Sequence, residues 1–429
     1  MTAEVAVLNA GAVALAADSA VTIGGQKIYN SAIKLFSLSS VAPVGIMIHG
    51  NSTLMDFPWE IIIKSFKKEH SKKTHERLED YATSFIEYIE INNTKFLSLE
   101  TQERHFFNNI ESYLWLIYTE IEDHIKNIFE DSGGKVTEKE TNDIFKQKIN
   151  EHYKKLSEKD NIDNFEDSFF SKLEEKHKNK IIELIREIFN NFKLTSQIIK
   201  RILSISIFLV TKKIFHGEST GIVIAGYGES DYHPAIETYK IEGFYDNKLK
   251  YSRIEEKSKR LFHGDQCSII PFAQDDMIAA FMSGINSGVH RFISKYLQIT
   301  FDKLPDILDI KDLKGTNKEI EKTIKRYKEN INVLSDDFFD EVKNHIQENH
   351  VMPVLEMVIA LPKDELALMA ETLVSLTAFK RRITNSLETV GGPIDVAVIS
   401  KGDGLVWIKR KHYFPKELNQ RYFNKYNGG

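Results

Sequence analysis

The sequence predicts an α+β protein in which short β-strands are interrupted by two helical insertions. Two observations support this prediction. Residues 1–50 form short runs, alternating or almost wholly apolar, with turn residues between them, as strands do, whereas a helical period begins near Leu54. The strand pattern returns near Thr220 and again near Ile394, and a second charged helical stretch lies between these two positions.

Length and composition limit the class of protein. A chain of 429 residues with 42% hydrophobic content can bury a substantial core, and its length allows two or three domains. The net charge of −5 gives no electrostatic reason to expect a nucleic-acid partner. A single cysteine, Cys267, excludes an intramolecular disulfide and is typical of a reducing compartment. Because no apolar run has the length or flanks of a membrane span or signal peptide, we expect a cytoplasmic protein without a membrane partner.

The first strands form a predicted hairpin at the amino terminus. A small residue follows Met1, so removal of the methionine would leave Thr2 as the free amino terminus. Val5 and Val7 alternate in a first strand, and turn residues around Ala10 lead into a second strand that is almost entirely apolar. The second strand is therefore predicted to be buried on both faces.

The spacing of the turns predicts which residues meet at the strand ends. A turn centred near Ala10 pairs Thr2 with Asp18, and a second turn centred near Gln26 pairs Asp18 with Lys34. The sequence therefore predicts that Thr2, Asp18 and Lys34 lie together at one end of neighbouring strands.

These residue types can form a self-contained nucleophile. A hydroxyl needs a base at neutral pH, and the α-amine of a processed Thr2 is a suitable base, with an unperturbed pKa of about 7.7–8.0. Lys34, held charged by Asp18, would stabilise the alkoxide and keep the amine neutral. Gly50 ends a later strand before a helix predicted near Ser52, and its N–H could stabilise an oxyanion.

The same segments carry a family resemblance. They resemble the amino-terminal half of proteasome β subunits and of their bacterial two-component relative, which are N-terminal-nucleophile hydrolases. The resemblance implies Thr2 as nucleophile and base, Asp18 and Lys34 as its activating pair, and Gly50 as oxyanion donor. It also implies that Thr22 offers backbone hydrogen bonds to an extended peptide. The segments are 2–8, 16–19, 28–35 and 46–51.

The resemblance has two limits. An Asp and a Lys at adjacent strand ends are often a solvated ion pair, and Thr at position 2 is common because it permits Met removal. In the carboxy-terminal half, Leu387 stands where the family has an Asp, and Val390 stands where it has a serine before paired glycines. Three nearby residues could substitute through a shifted loop or could only shape a turn. They are Ser386, Glu388 and Thr389.

Further elements are predicted from periodicity. Helices are predicted over 78–91, 105–129, 165–192, 203–210 and 274–292, and a further helix carries Leu366, Met369, Leu373 and Leu376. Strands are predicted over 220–226, 236–241, 251–253, 266–270, 394–399 and 405–408.

Together with the resemblance, these elements imply a four-layer αββα sandwich of the N-terminal-nucleophile type with two helical insertions. Its core comprises residues 1–66, 216–299 and 351–412. The insertions comprise residues 67–215 and 300–350, and residues 413–429 form a tail. The first insertion is longer than the helical layer of a typical family member.

The implied activity is that of a threonine-type peptidase that acts on peptide or protein substrates without a metal or cofactor. Two alternatives remain open: a non-peptide amidase of the same chemistry, and a non-catalytic scaffold subunit like the proteasome α subunits. We expect a homo-oligomer, and an ATPase or other protein is a possible partner. The sequence does not define the substrate, the ring size or the state of Met1.

Overall fold

The computed structural model describes residues 3–23, 27–131, 133–262, 266–307, 317–384, 391–415 and 417–427. The chain divides into two compact units. The first unit comprises Met1–Ala32 and Leu261–Gly429, and the second comprises Ile33–Arg260. Both contain antiparallel sheets together with helices, so the protein is of the α+β class, as predicted.

The strands of the described residues are β1 (Glu4–Asn9), β2 (Ala12–Ala17), β3 (Val21–Ile23), β4 (Lys27–Tyr29), β5 (Leu35–Ser37), β6 (Val44–Gly50), β7 (Thr53–Leu54), β8 (Phe57–Pro58), β9 (Thr220–Gly226), β10 (Ala235–Tyr245), β11 (Lys248–Arg253), β12 (Lys259–Arg260), β13 (Cys267–Pro271), β14 (Asp395–Ser400) and β15 (Gly404–Lys409).

The helices are α1 (Trp59–Glu69), α2 (Leu78–Ile91), α3 (Asn93–Phe96), α4 (Leu99–Asp131), α5 (Glu138–Ser157), α6 (Asp167–Ile188), α7 (Ser196–Thr211), α8 (Asp276–Ser283), α9 (Ser287–Ile307), α10 (Asn317–Ile346), α11 (Met352–Ala360), α12 (Lys363–Ile383) and α13 (Gln420–Asn427). A short 3₁₀ helix spans Glu255–Lys257, and a π-helical turn spans Gln347–Val351.

The first unit is built on a five-stranded sheet with the order β13-β1-β2-β14-β15. All residues of β1, β2 and β14 are buried, which confirms the prediction that the apolar second strand is buried on both faces. Helix α12 packs on β1, β2 and β14 through residues spaced three or four apart, so one apolar face of the helix meets the sheet. These residues include Leu366, Ala370, Leu373 and Val374.

The second unit is built on a sheet with the order β11-β10-β9-β6-β5, and β12 pairs with β10. Alternate residues of β6 and β9, such as Ile46 and Ile222, form one core with apolar residues of α1 and α2. Helices α4, α5, α6 and α7 form a bundle around a second core of their own. The bundle lies within the long helical insertion predicted from the sequence.

A buried ion pair joins this bundle to the sheet. Lys250 on β11 is fully buried, and its Nζ lies 2.5 Å from Glu242 Oε2 and donates to the carbonyl oxygen of Leu209 at 2.5 Å. It also donates to the carbonyl oxygen of Ile214, and the N–H of Gly217 donates to Glu242 Oε1 at 3.3 Å. Burial lowers the pKa of Lys250, whereas the charge of Glu242 opposes this change.

Most predicted elements are confirmed, with two differences in helix position. The helix predicted near Ser52 begins at Trp59, because the short hairpin β7–β8 comes first. The helix predicted over 274–292 is two helices, because Gly284 adopts a φ of 70° and ends α8.

Candidate functional site

The hairpin β1–β2 places Asp18, and Asn9 helps to define its turn. Asn9 Oδ1 accepts hydrogen bonds from the N–H groups of Gly11 at 3.0 Å and Ala12 at 3.3 Å. Asn9 Nδ2 donates to the carbonyl oxygens of Val358 at 3.0 Å and Leu361 at 2.9 Å. One side chain thus stabilises the turn and connects it to the end of α11.

The register of this hairpin differs by one residue from the prediction. Glu4 pairs with Ala17, and the Asp18 N–H donates to the Ala3 carbonyl oxygen at 3.1 Å. Asp18 is therefore opposite Ala3 and not opposite Thr2. The prediction was wrong because the turn consists of two residues between Asn9 and Ala12 and is not centred on a single residue.

The Asp18 carboxylate is the centre of a main-chain network. Its exposed fraction is 0%, and its Oδ1 accepts a hydrogen bond from the N–H of Ala3 at 3.0 Å. Its Oδ2 accepts from the N–H groups of Ala20 at 3.1 Å and Gly391 at 3.0 Å. Hydrogen bonds to a carboxylate are stronger than bonds between neutral groups. Asp18 therefore holds together the residue after Thr2, its own loop and the carboxy-terminal half of the chain.

Ser19 extends this network, although the sequence did not indicate a role for it. Its N–H donates to the carbonyl oxygen of Gly391 at 3.1 Å, and its hydroxyl donates to the carbonyl oxygen of Pro393. Its own carbonyl oxygen accepts from the N–H of Ala32 at 3.1 Å. Ser19 thus connects the Asp18 loop with two further segments of the first unit.

The paired glycines of the carboxy-terminal half also contribute. Gly392 has a φ of 75°, and a Cβ atom at this position would lie 2.6 Å from the Cβ of Asn30. This close approach requires glycine. The glycine pair was visible in the sequence as part of the family pattern, and in the structure the N–H of Gly391 donates to the carboxylate of Asp18.

Lys34 lies in the second unit, directly before β5. It is buried, with an exposed fraction of 5%, and its carbonyl oxygen accepts a hydrogen bond from the N–H of Ile48 at 2.9 Å. The main chain at Lys34 is thereby joined to β6, the strand that ends at Gly50. Because Asp18 belongs to the first unit, the ion pair between Asp18 and Lys34 remains a prediction.

His49 is a half-buried histidine that the sequence reasoning missed. Burial lowers its pKa to about 3, and the positive charges of Lys257, Lys240 and Lys34 act in the same direction. Its ring packs on Gly221, where a Cβ atom would lie only 1.9 Å from His49 Nε2. His49 is therefore neutral at physiological pH, and Lys34 is one of the charges that lower its pKa.

Gly50 lies at the end of β6 in a conformation that favours glycine. Its φ is 84°, and a Cβ atom would lie 2.7 Å from the carbonyl oxygen of Ser219. The next residue, Asn51, binds the segment that follows the helical insertion. Its N–H donates to the carbonyl oxygen of Ser219 at 3.2 Å, and its Nδ2 donates to Glu218 Oε2 at 2.6 Å. Gly50 is exposed.

Thr22 lies in β3, which pairs with β4. The register pairs Thr22 with Ile28, whereas a turn centred near Gln26 would pair Thr22 with Asn30. The predicted register of this second hairpin was therefore wrong, and its ladder ends at the pair Val21 and Tyr29.

Thr2 lies outside the described residues, and so do the predicted substitutes Ser386, Glu388 and Thr389. Their roles remain predictions. The structure brings Asp18 together with Ala3 and Gly391 in the first unit, and in the second unit it places Lys34 beside Ile48, two residues before Gly50 at the end of β6.

No family model matches the chain, and no curated protein is significantly similar to it in sequence. Among the helices of the described residues, none combines the length and apolar character needed to cross a bilayer.

Proposed function

We propose that the chain is an N-terminal threonine hydrolase that cleaves amide bonds in peptides. The observation that carries the proposal is the environment of Asp18. A carboxylate with no exposed surface binds the N–H of Ala3, the residue that follows Thr2, and the N–H of Gly391. A buried charge needs compensation, and these main-chain donors supply it while they fix the carboxylate next to the residue that follows Thr2. This position supports a role for Asp18 in the activation of a terminal nucleophile.

The proposed reaction begins when the α-amine of Thr2 accepts the proton of the Thr2 hydroxyl. The hydroxyl oxygen then forms a bond to the substrate carbonyl carbon, and the carbonyl electrons move to the oxygen, where the N–H of Gly50 stabilises them. Collapse of this intermediate expels the amine, which takes the proton, and leaves an ester on Thr2. Water then hydrolyses the ester. Lys34 stabilises the developing negative charge in each step.

The proposed fold for this chemistry is the four-layer αββα sandwich. Its support is that each unit contains an antiparallel sheet with helices packed against one face: α12 in the first unit, and α1 and α2 in the second. Thr22 is the proposed substrate-binding residue because β3 offers main-chain groups to an extended peptide.

The central test compares Thr2→Ala with Thr2→Ser. We expect intact-mass spectrometry to show that Met1 is absent, Thr2→Ala to abolish cleavage of a peptide panel, and Thr2→Ser to retain part of it. Retained Met1, together with no cleavage in every variant, would favour the non-catalytic scaffold, whereas equal cleavage in every variant would show that Thr2 is not the nucleophile. Cleavage of small amides but not of peptides would favour the amidase.

Lys34→Met tests the electrostatic role independently of the nucleophile. We expect a loss of roughly 10²-fold or more in kcat, and a similar loss for Lys34→Arg, which keeps the charge but misplaces it. The matched control is Lys64→Met, since Lys64 is an exposed lysine of α1. An unchanged rate in Lys34→Met would remove Lys34 from the mechanism.

A further inference from the structure

The second unit contains a cavity that is separate from the proposed catalytic residues. It has a volume of about 190 Å³ and lies where α4 and α6 of the helical bundle meet the turn after β10. Its apolar wall comes from Leu99, Phe106, Leu173 and Tyr245. An apolar cavity of about 150 Å³ is large enough to hold a benzene molecule. A single aromatic ring with a small substituent therefore fits here.

One polar side chain of the wall lacks a protein partner. His177 has an exposed fraction of only 6%, and its ring contacts Phe106 and Phe107 at centroid distances of 4.6 and 5.5 Å. Within the described part of the chain, its imidazole makes no hydrogen bond to another residue. A ligand that enters the cavity can therefore form a hydrogen bond with this imidazole.

The surroundings of His177 favour the neutral form of its imidazole. Burial lowers its pKa, and the nearby charge of Lys176 lowers it further. A neutral imidazole has one donor nitrogen and one acceptor nitrogen. The cavity can therefore recognise a ligand group that donates or accepts a hydrogen bond without the need for a charge.

The other polar groups around the cavity are already paired. Lys176 Nζ lies 2.6 Å from Asp246 Oδ1, and Lys180 Nζ lies 2.6 Å from Glu103 Oε1. The side chain of Gln102 is also occupied, because it both donates to and accepts from Asn247. The rim thus has balanced charge, and His177 remains as the polar group that can select a ligand.

We propose that this cavity binds a neutral, monocyclic aromatic molecule with a hydroxyl group, which forms a hydrogen bond with His177. A hydroxyl group both donates and accepts, so it suits either nitrogen of the imidazole. A carboxylate can only accept and an ammonium can only donate, and the balanced charge of the rim attracts neither. The ring itself replaces empty volume between Phe106 and Leu173.

The experiment measures the binding of phenol and benzene to the full-length chain by calorimetry and ligand-observed NMR. Phenol should bind roughly threefold to tenfold more tightly than benzene, because it adds one hydrogen bond in a buried site. His177→Leu should remove this preference and leave benzene binding in place. His124→Leu, on α4 but outside the cavity wall, is the matched control and should keep the preference.

A second pair of variants tests the cavity itself. Leu173→Trp should fill the space and eliminate saturable binding of both probes, whereas Leu173→Met keeps the volume and should bind both. Circular dichroism and thermal unfolding establish that each variant is folded. If His177→Leu does not fold, the preference for phenol in the wild type and the loss of binding in Leu173→Trp still test the proposal. Absence of saturable phenol binding to the wild type, equal affinity for both probes, or unchanged binding to folded Leu173→Trp would overturn the proposal.

Discussion

Two buried carboxylates, one in each unit, are stabilised in different ways. Asp18 in the first unit binds three main-chain N–H groups from separate stretches of the chain. Glu242 in the second unit binds the ammonium group of Lys250 and one main-chain N–H. Asp18 thus organises the backbone around it, whereas Glu242 is neutralised by a side chain that also binds two carbonyl oxygens of the helical insertion.

This difference explains why the two sites suit different tasks. Main-chain donors do not depend on the identity of neighbouring side chains, so the position of Asp18 is preserved through most substitutions around it. The pair of Glu242 and Lys250 has a structural role, because the lysine connects β11 to the end of α7 and to the segment that follows. A single substitution can break this pair. The contribution of each carboxylate site to stability can therefore be tested by substituting one side chain at a time.

The largest effect is expected from Lys250→Met. It leaves Glu242 buried without its cation, and removal of one partner of a buried ion pair costs about 3–5 kcal/mol of unfolding free energy. Urea unfolding would measure this loss. The control is Lys248→Met, because Lys248 is an exposed lysine on the same strand. The double variant Lys250→Met with Glu242→Gln should recover part of the loss. Equal stability of Lys250→Met and the control would show that the pair has no structural role.

A smaller effect is expected from Asp18→Asn. The amide has one acceptor oxygen, so at least one of the N–H groups that bind the carboxylate would face an NH₂ group. An unsatisfied buried donor costs about 1–3 kcal/mol. Urea unfolding should show this loss, and hydrogen exchange should increase at Ala3 or Gly391. Asp403→Asn, at an exposed carboxylate of the β14–β15 turn, is the control. Unchanged exchange at both amides would contradict the network.

Much of the fold could be predicted because periodicity reports local burial. The bounds of α2 and β9 agree with the sequence pattern, since each element has a complete apolar face or is wholly apolar. Registers were harder to predict, because a turn of two residues and a turn centred on one residue differ by a single position. Because of this difference of one position, Asp18 pairs with Ala3 and not with Thr2.

The candidate site was predictable only in part. Residue type and spacing indicated Asp18, Lys34 and Gly50. The first two have charged side chains, and glycine has no side chain that would block its N–H. The roles of Ser19 and Gly391 depend on main-chain groups that are brought together over more than 370 positions of sequence, as the hydrogen bond between Gly391 and Asp18 shows. No local pattern encodes such a contact. His49 was missed because its neutrality results from burial and from the charges of residues that are distant in sequence.

The smallest expected effect is the pH dependence of the unfolding free energy that arises from the histidines of the second unit. Burial lowers the pKa values of His49, His105 and His216, and the pKa of His49 falls to about 3. The unfolded chain binds a proton at each histidine below about pH 6.5, whereas the folded chain excludes it until the folded pKa is reached. Their contribution to stability is therefore complete above pH 6.5 and is lost as the pH falls, by at most about 1.4 kcal/mol per pH unit for each histidine.

Urea unfolding between pH 7 and pH 4 would measure this dependence for the wild type and for His49→Gln. We expect a flatter pH dependence in His49→Gln, because this variant lacks one of the histidines that take up a proton on unfolding. Met47→Leu changes a neighbour on the same face of β6 without a titratable group, so it should lower stability by a similar amount at every pH. Parallel curves for the wild type and His49→Gln would mean that His49 takes up its proton equally in both states. Its burial against Gly221 would then have no consequence for stability in acid.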